Sequence, residues 1–436
     1  MMNLSTQSYK GARDFYPEEM RLQNYIFSVW RNVCESFGYE EYLCPVLEPT
    51  EIYLAKTSEE IVREQTYTFK DRGDRTVTMR PEMTPSISRM VAAKRQELGY
   101  PARLYSIANF WRYERSQRGR LREFWQLNAD IFGVEGIAAE HEGITMADQI
   151  VQAFGAKRNM YEIRINSRKF VNYVLKDYLG FDETETTTLV RLIDRIDKMT
   201  RAEFVALAEA AIRPSQREEG KLELLMNVLD ASEIEELPEG VRNSSNLDDL
   251  KQLLGMLQSD GITNAKFNVR LMRGFDYYTD IVFEAFDTHP ENNRSMFGGG
   301  RYDGLVGNFG VEPVPTFGFA PGDISTQLFL ESHGLVPELK SPTELYMVLA
   351  GVEYPAVVKL LSDLRNEGVN VAVDTCNKKI GSQIKNAEKK GIQYVAVVGD
   401  QELSTQRFKL KNLKTGNEEE LSFERLVTTL KDKRTK

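Results

Sequence analysis

The stretch FWRYERSQRGRLREFWQLNADIFG, Phe110 to Gly133, places five arginines (Arg112, Arg115, Arg118, Arg120 and Arg122) within eleven residues, between aromatic and aliphatic flanks. The flanks ARLYSIANFWRYER and EFWQLNADIFGV read as strands, so the intervening SQRGRLR is the loop of a long hairpin. Single arginines on such a loop are ordinarily solvated. Five of them beside Glu114 and Phe124 form a different pattern, because guanidinium forks match phosphate oxygens and an aromatic face stacks on a base. Phosphate plus base is the chemistry of ATP.

Outward from this hairpin, residues 19–37 carry apolar residues at helical spacing, and YLCPVLEP follows as a short extended segment broken by Pro45. TYTFKDRGDRTVTMRPE alternates on both sides of DRGD and predicts a second hairpin; MTPSISRMVAAKRQEL predicts a helix opening at Thr84 and Pro85. No glycine-rich strand-to-helix turn of the dinucleotide-binding type occurs among these segments. The expected fold is therefore α/β in content, with an α+β core: a mainly antiparallel sheet backed by helices. From 168 to 260 the texture is helical and poor in strand formers, which predicts an insertion into a core spanning 1–335. Strand character returns at AKFNVRLMRGFDYYTDIVFEAF, in a hairpin-like SMFGGGRYDGLVGNFG, and at PTFGFAPGD. A polar connector, 336–342, precedes a separate α/β pattern over 343–436.

The formal charge of −9 is unevenly spread: residues 341–436 hold 16 Lys and Arg against 13 Asp and Glu, leaving −12 on the remainder. A chain this acidic is not a general polyanion binder, whereas its basic tail suits local contact with nucleic acid. Cys34, Cys44 and Cys376 share no metal-ligand spacing and make no disulfide framework, and His141, His289 and His333 are equally scattered, so no protein-held metal is expected. Without an apolar signal core or a run of about 18 apolar residues, the expectation is a soluble, cytoplasmic protein with no membrane contact.

Taken together, FWRYER…GRLREFWQ resembles the second motif of class II aminoacyl-tRNA synthetases. LMRGFDYYTDIVFEAF and GGGRYDGLV resemble the two motifs that mark histidyl-tRNA synthetases within that class, and RPEMTPSISR resembles the same family's RPE-x-T stretch. The resemblance extends from Tyr9 into the C-terminal domain, where KKIGSQIKNAEKKGIQYVAVVGD is similar to an anticodon-binding domain. It implies ATP-dependent activation of histidine to an adenylate, with magnesium carried on the ATP phosphates, and transfer to the 3′ end of tRNA(His).

The resemblance also implies roles. Arg112 and Arg273 would be the catalytic cations; Arg112, Glu114, Arg120 and Phe124 would bind ATP. Glu82, Thr84, Arg112, Gln126, Asp130, Arg273, Tyr277 and Tyr278 would surround histidine, with Asp130 and Tyr278 on the two imidazole nitrogens, Tyr277 reading equally as a packing residue. An arginine such as Arg273, set in an apolar strand, must pair with a carboxylate or face a ligand. Gln117 and Arg118 at the hairpin tip would touch the tRNA acceptor end. The early helix and YLCPVLEP resemble the first class II motif, which implies a homodimer. In one respect the chain departs from the pattern: GFAPGDISTQLFL has Asp323, Ile324 and Ser325 where the third motif carries an arginine. That leaves a second reading, a non-catalytic paralogue of the kind that regulates the first histidine-biosynthesis enzyme, although such relatives generally lack the C-terminal domain.

Overall fold

The computed structural model describes residues 4–54, 65–115, 117–272, 277–292 and 294–434. The chain divides into two compact units, residues 1–336 and 337–436.

The first unit opens with helix α1 (Pro17–Ser36). Pro17 supplies the preset first-turn φ, Glu18 and Glu19 sit where the helix dipole favours anions, and Gly38 at φ +77° lets the chain turn away. Gln23, Ile26, Trp30 and Cys34 form its buried stripe. Strands β1 (Glu40–Glu41) and β2 (Leu47–Pro49) follow. β3 (Tyr67–Lys70) and β4 (Thr76–Met79) are the predicted DRGD hairpin, and with β2 they make a small antiparallel sheet. Helix α2 (Thr84–Ala93) then leads to the arginine-bearing hairpin, β5 (Ala102–Trp111) and β6 (Glu123–Phe132), in continuous register from Ala102–Phe132 to Trp111–Glu123.

Helix α3 (Ala138–Ala153) precedes β7 (Tyr161–Ser167). Short helices then fill the chain to Ser259, before β8 (Ala265–Phe267), β9 (Ile281–Asp287), β10 (Ser295–Arg301), β11 (Thr316–Phe319) and helix α4 (Asp323–Ser332). Among the described residues the main sheet has the order β1-β5-β6-β11-β10-β9-β7-β8; its two edge strands pair in parallel and the inner pairs are antiparallel.

Two local expectations fail. SMFGGGRYDGLVGNFG is not a hairpin: its first half is β10, paired on both sides, and its second half is a short helical turn at Val306–Phe309. Nor is AKFNVRLMRGFDYYTDIVFEAF one strand, because β8 ends at Phe267 and β9 begins at Ile281. Leu271 and Met272 lie outside any strand, and Arg273, read from the sequence as set in an apolar strand, lies outside the described residues.

Strand parity divides the sheet chemically. Leu127, Ala129 and Ile131 of β6 point to the core shared with Ile26, Trp30 and α3. Phe124, Gln126, Asn128 and Asp130 share the opposite face. A buried ion pair fixes α3 to this sheet: Arg301, at the end of β10, forks onto both carboxylate oxygens of Glu140 and donates to the carbonyls of Val134 and Gly136. Apolar side chains would bury there more cheaply, but removing one partner alone strands a charge.

The second unit has β12 (Leu345–Leu349) flanked in parallel by β13 (Val371–Val373) and β14 (Tyr394–Val398), then antiparallel β15 (Arg407–Asn412) and β16 (Glu418–Ser422). Buried Gln383 ties its helix to β12, accepting from Leu349 N at 2.8 Å and donating to Leu349 O at 3.0 Å. No helix among the described residues is long and apolar enough to cross a membrane.

Replacing Arg301 by Met should cost about 3–5 kcal/mol of stability by orphaning Glu140. In urea unfolding, a combined Arg301→Met and Glu140→Leu chain should recover most of that loss.

Candidate active site

The floor of the site is the polar face of β6 where it meets β11 and β10. Side chains there would collide with one another, and the glycines of the FGGGR and TFGF segments prevent this. A Cβ on Gly318 would stand 1.9 Å from Asp130 Oδ1, and one on Gly300 would stand 2.8 Å from the Tyr278 ring. The carboxylate and the ring occupy the space those glycines leave.

Seven residues named from the sequence, Glu82, Thr84, Arg112, Gln126, Asp130, Tyr277 and Tyr278, line one small cavity of about 50 Å³. Glu82 lies just before α2 and Thr84 opens it, Arg112 directly follows β5, and Gln126 and Asp130 come from β6. Glu82 is buried and accepts from Tyr277 Oη at 3.3 Å. Arg112 donates through Nε to Pro81 O at 2.9 Å and lies 5.1 Å from the Phe124 ring centroid; burial lowers its pKa. Gln126 Nε2 donates to Ala320 O at 3.1 Å, orienting its amide toward β11.

Asp130 has a partner the sequence did not indicate: its Oδ1 accepts from Tyr302 Oη at 2.5 Å. Burial pushes the carboxyl up to about 7, with the Tyr302 hydrogen bond opposing that rise. Tyr302 escaped the sequence reading because it follows a glycine cluster that reads equally as a turn. Asn128 was also missed: it lines the same cavity, and its Nδ2 is buried with no hydrogen-bond partner among the described residues. Only strand parity, two residues from both Gln126 and Asp130, could have indicated it.

The arginine hairpin forms the rim. Arg112 N bonds Arg122 O, and Gln117 and Arg120 pair their backbones across the tip. Arg120 Nη1 lies 3.7 Å from Glu114 Oε2 while the rest of its side chain is exposed. Arg122 turns to the outer side instead, 4.0 Å from the Tyr113 ring centroid, with Nε donating to Glu114 O. Gln117, Arg118 and Arg120 border a second, larger cavity of about 1030 Å³ that extends past β9 and β10 toward the helical segment.

At the third-motif position, Asp323 is buried at the start of α4. It accepts from Trp125 N at 3.0 Å and Gln23 Nε2 at 3.1 Å, and pairs with Arg13. Ser325 Oγ is engaged with Met296 O and Gly322 O. Neither side chain covers the cleft. Among the described residues no group of three or more His, Cys, Asp or Glu could hold a metal ion. His141 instead faces Asp260 at 2.9 Å, and His333 faces Asp287 at 2.8 Å.

The profile of the histidyl-tRNA synthetase family matches residues 11–322, which hold the residues of the small cavity and the arginine hairpin. The chain belongs to the histidyl-tRNA synthetase family. An anticodon-binding-domain profile matches residues 347–433. A curated relative, the histidine–tRNA ligase of Leptospira biflexa, is 40% identical over 99% of both chains. A histidyl-tRNA synthetase structure from Nostoc superposes with a TM-score of 0.82 at 23% identity, covering 99% of this chain and 100% of that one. A Bacillus halodurans structure described as an ATP phosphoribosyltransferase regulatory subunit/histidyl-tRNA synthetase has a TM-score of 0.73 at 23% identity, covering 88% and 97%. These two similarities are of fold, and they place this synthetase-family chain in the same architecture.

The state of Asp130 has a measurable consequence. A carboxyl whose folded pKa is about 7 binds its proton more tightly when folded than at the unfolded value near 4, so its stabilising effect is complete below about pH 4 and lost as pH rises through about 7. Wild type should lose on the order of 2 kcal/mol between pH 5 and pH 8 through this group. Urea midpoints of Asp130→Asn should be flatter across that interval.

Proposed function

We propose that the chain is a histidine–tRNA ligase. The observation that carries this reading is the convergence of Glu82, Thr84, Arg112, Gln126, Asp130, Tyr277 and Tyr278 on one polar cavity next to an arginine-rich hairpin. In the first step the histidine carboxylate attacks the α-phosphorus of ATP, forming the acyl-phosphate bond as pyrophosphate leaves. In the second, the terminal ribose hydroxyl of tRNA(His) attacks the acyl carbon and AMP departs.

The residues' parts follow from their chemistry. Glu82, with Thr84, is the anionic partner for the substrate ammonium. Asp130, whose Oδ1 is engaged by Tyr302, offers its other oxygen to an imidazole N–H, with Tyr278 as the hydroxyl opposite. An apolar amino acid of similar size would leave these buried groups unpaired, which is the basis of selectivity. Arg112 neutralises charge at the reacting phosphate, sharing that task with Arg273; Arg120 reaches the distal phosphates, Glu114 accepts from the adenine amino group, and Phe124 carries the ring. Magnesium enters on ATP as part of the substrate, where it would neutralise phosphate charge. Gln117 and Arg118, exposed at the hairpin tip, are the proposed contacts to the acceptor end.

The C-terminal unit would read the anticodon. Lys378, Lys379, Lys385, Lys389 and Lys390 are all exposed around the helix Ile380–Lys389, and none has a carboxylate partner among the described residues. A homodimer in the cytoplasm completes the proposal. Its proposed interface centres on the YLCPVLEP segment, where Leu43, Val46 and Leu47 are exposed together with nearby Leu54 and Phe69, while most of the α1 apolar stripe is buried within its own unit.

Purified protein should catalyse histidine-dependent exchange of pyrophosphate into ATP, and no other standard amino acid should support it. Exchange no faster than without enzyme would overturn the ligase reading in favour of the regulatory paralogue. A chain ending at Val336 should keep most of the exchange activity but charge tRNA(His) poorly, and rising salt should reproduce part of that loss in the full chain.

A further inference from the structure

We propose that Arg294 is a nucleotide-binding residue, supplying from the β9–β10 turn a cation for the distal phosphates of ATP on the α4 side of the cleft. The proposal rests on the ligase reading. Its starting point is the third-motif position, where the Ser325 hydroxyl is committed to Met296 O at 2.8 Å and Gly322 O at 3.0 Å. This wall of the cleft nevertheless lies beside the nucleotide residues, since Gly322 bridges to Gln126, two residues along β6 from Phe124. A triphosphate bound against Arg120 would face α4, which carries no cationic side chain of its own.

Arg294 occupies that side. Its Nη1 donates to Arg118 O at the tip of the arginine hairpin at 2.8 Å. A Cβ on Gly119 would lie 3.5 Å from Arg294 Nη1 and equally 3.5 Å from Leu328, one helical turn beyond Ser325. The guanidinium thus sits where the hairpin tip meets the exposed face of α4, and both Arg294 and Ser325 line the cavity of about 1030 Å³.

That cavity is lined by six cations and three carboxylates (Asp194, Asp197 and Glu284); among the described residues Arg118, Lys198 and Arg294 are the cations without a carboxylate partner, and of these three Arg294 is the one carried by the β9–β10 turn beside α4. Arg164 pairs with Glu162, Arg270 with Asp230, and Arg120 loosely with Glu114. Arg294 has no carboxylate partner among the described residues; its side chain bonds the neutral carbonyl of Arg118, which leaves most of its donors for an anion.

The turn that carries it is also braced. Asp287 N bonds Arg294 O at 3.0 Å, while the buried Asp287 carboxylate takes Asn292 Nδ2 at 2.7 Å and His333 Nε2, at the end of α4, at 2.8 Å. A cation held by such a frame loses little freedom on binding.

The test is steady-state pyrophosphate exchange on the full chain, together with calorimetric binding of AMP and of a β,γ-methylene ATP analogue. Arg294→Ala should raise the ATP KM about tenfold, the effect of losing a charge-assisted contact, with the histidine KM unchanged. The analogue should bind correspondingly more weakly while AMP, which lacks distal phosphates, binds as before. Arg294→Lys, which keeps the charge, should lie closer to wild type than to Ala.

An unchanged ATP KM would overturn the proposal. So would equal weakening of AMP and analogue, a joint shift of ATP and histidine KM as a mere hairpin tether would give, a Lys variant as poor as Ala, or an effect seen only with tRNA. Wild-type protein that neither exchanges pyrophosphate nor binds the analogue would instead remove the ligase reading beneath it.

Discussion

A carboxylate enclosed in the middle of a sheet loses its hydration, and the chain around Asp130 is arranged to make that tolerable. Tyr302 supplies a hydrogen bond at 2.5 Å, and Gly318 leaves open the volume that any side chain on β11 would fill. Tyr302 is itself placed by its neighbour Arg301, whose pair with Glu140 locks the end of β10 to α3. Asp130 therefore depends on three strands and a helix from widely separated parts of the sequence. Local propensity alone could not hold it.

The same economy of buried charge appears at the other end of the site. Asp323 gathers Arg13, Gln23 and the backbone of Trp125, so the extreme N-terminal segment, α1, β6 and α4 meet at one carboxylate. Arg80 does the converse with carbonyls: its Nη1 donates to Cys44 O at 2.6 Å and its Nε to Asn109 O at 2.9 Å, joining the small sheet to β5. Networks of this kind fix geometry more than they add net stability, and fixed geometry is what a site built from converging donors requires.

Much of this was legible beforehand where the pattern was long and local. The ten-residue strands β5 and β6 announce themselves by alternation, α1 by its apolar spacing, and the five arginines by density. Pairing between distant segments carries no such mark. GGGRYDG reads as a turn because glycines are common in turns; only the register of β10 between β9 and β11 shows why three are needed in a strand. Tyr302 and Asn128 stayed hidden for the same reason, since each becomes a site residue only through partners more than a hundred residues away or through the face of its strand. The residue roles drawn from family resemblance depend on motif identity, which composition and periodicity cannot supply.

The strand order also bears on how the protein is made. β6 is complete at Phe132, yet its neighbour β11 begins at Thr316, with residues 133–315 in between. At ribosomal rates of about 5–20 residues per second, that edge of the sheet emerges roughly 10–40 s before its partner exists. During that interval an apolar strand with unpaired backbone groups is open to any other strand nearby. The nascent chain is thus exposed at the very strand that later carries Asp130, and yield in the cell depends on holding that edge apart until the last third of the first unit has been synthesised.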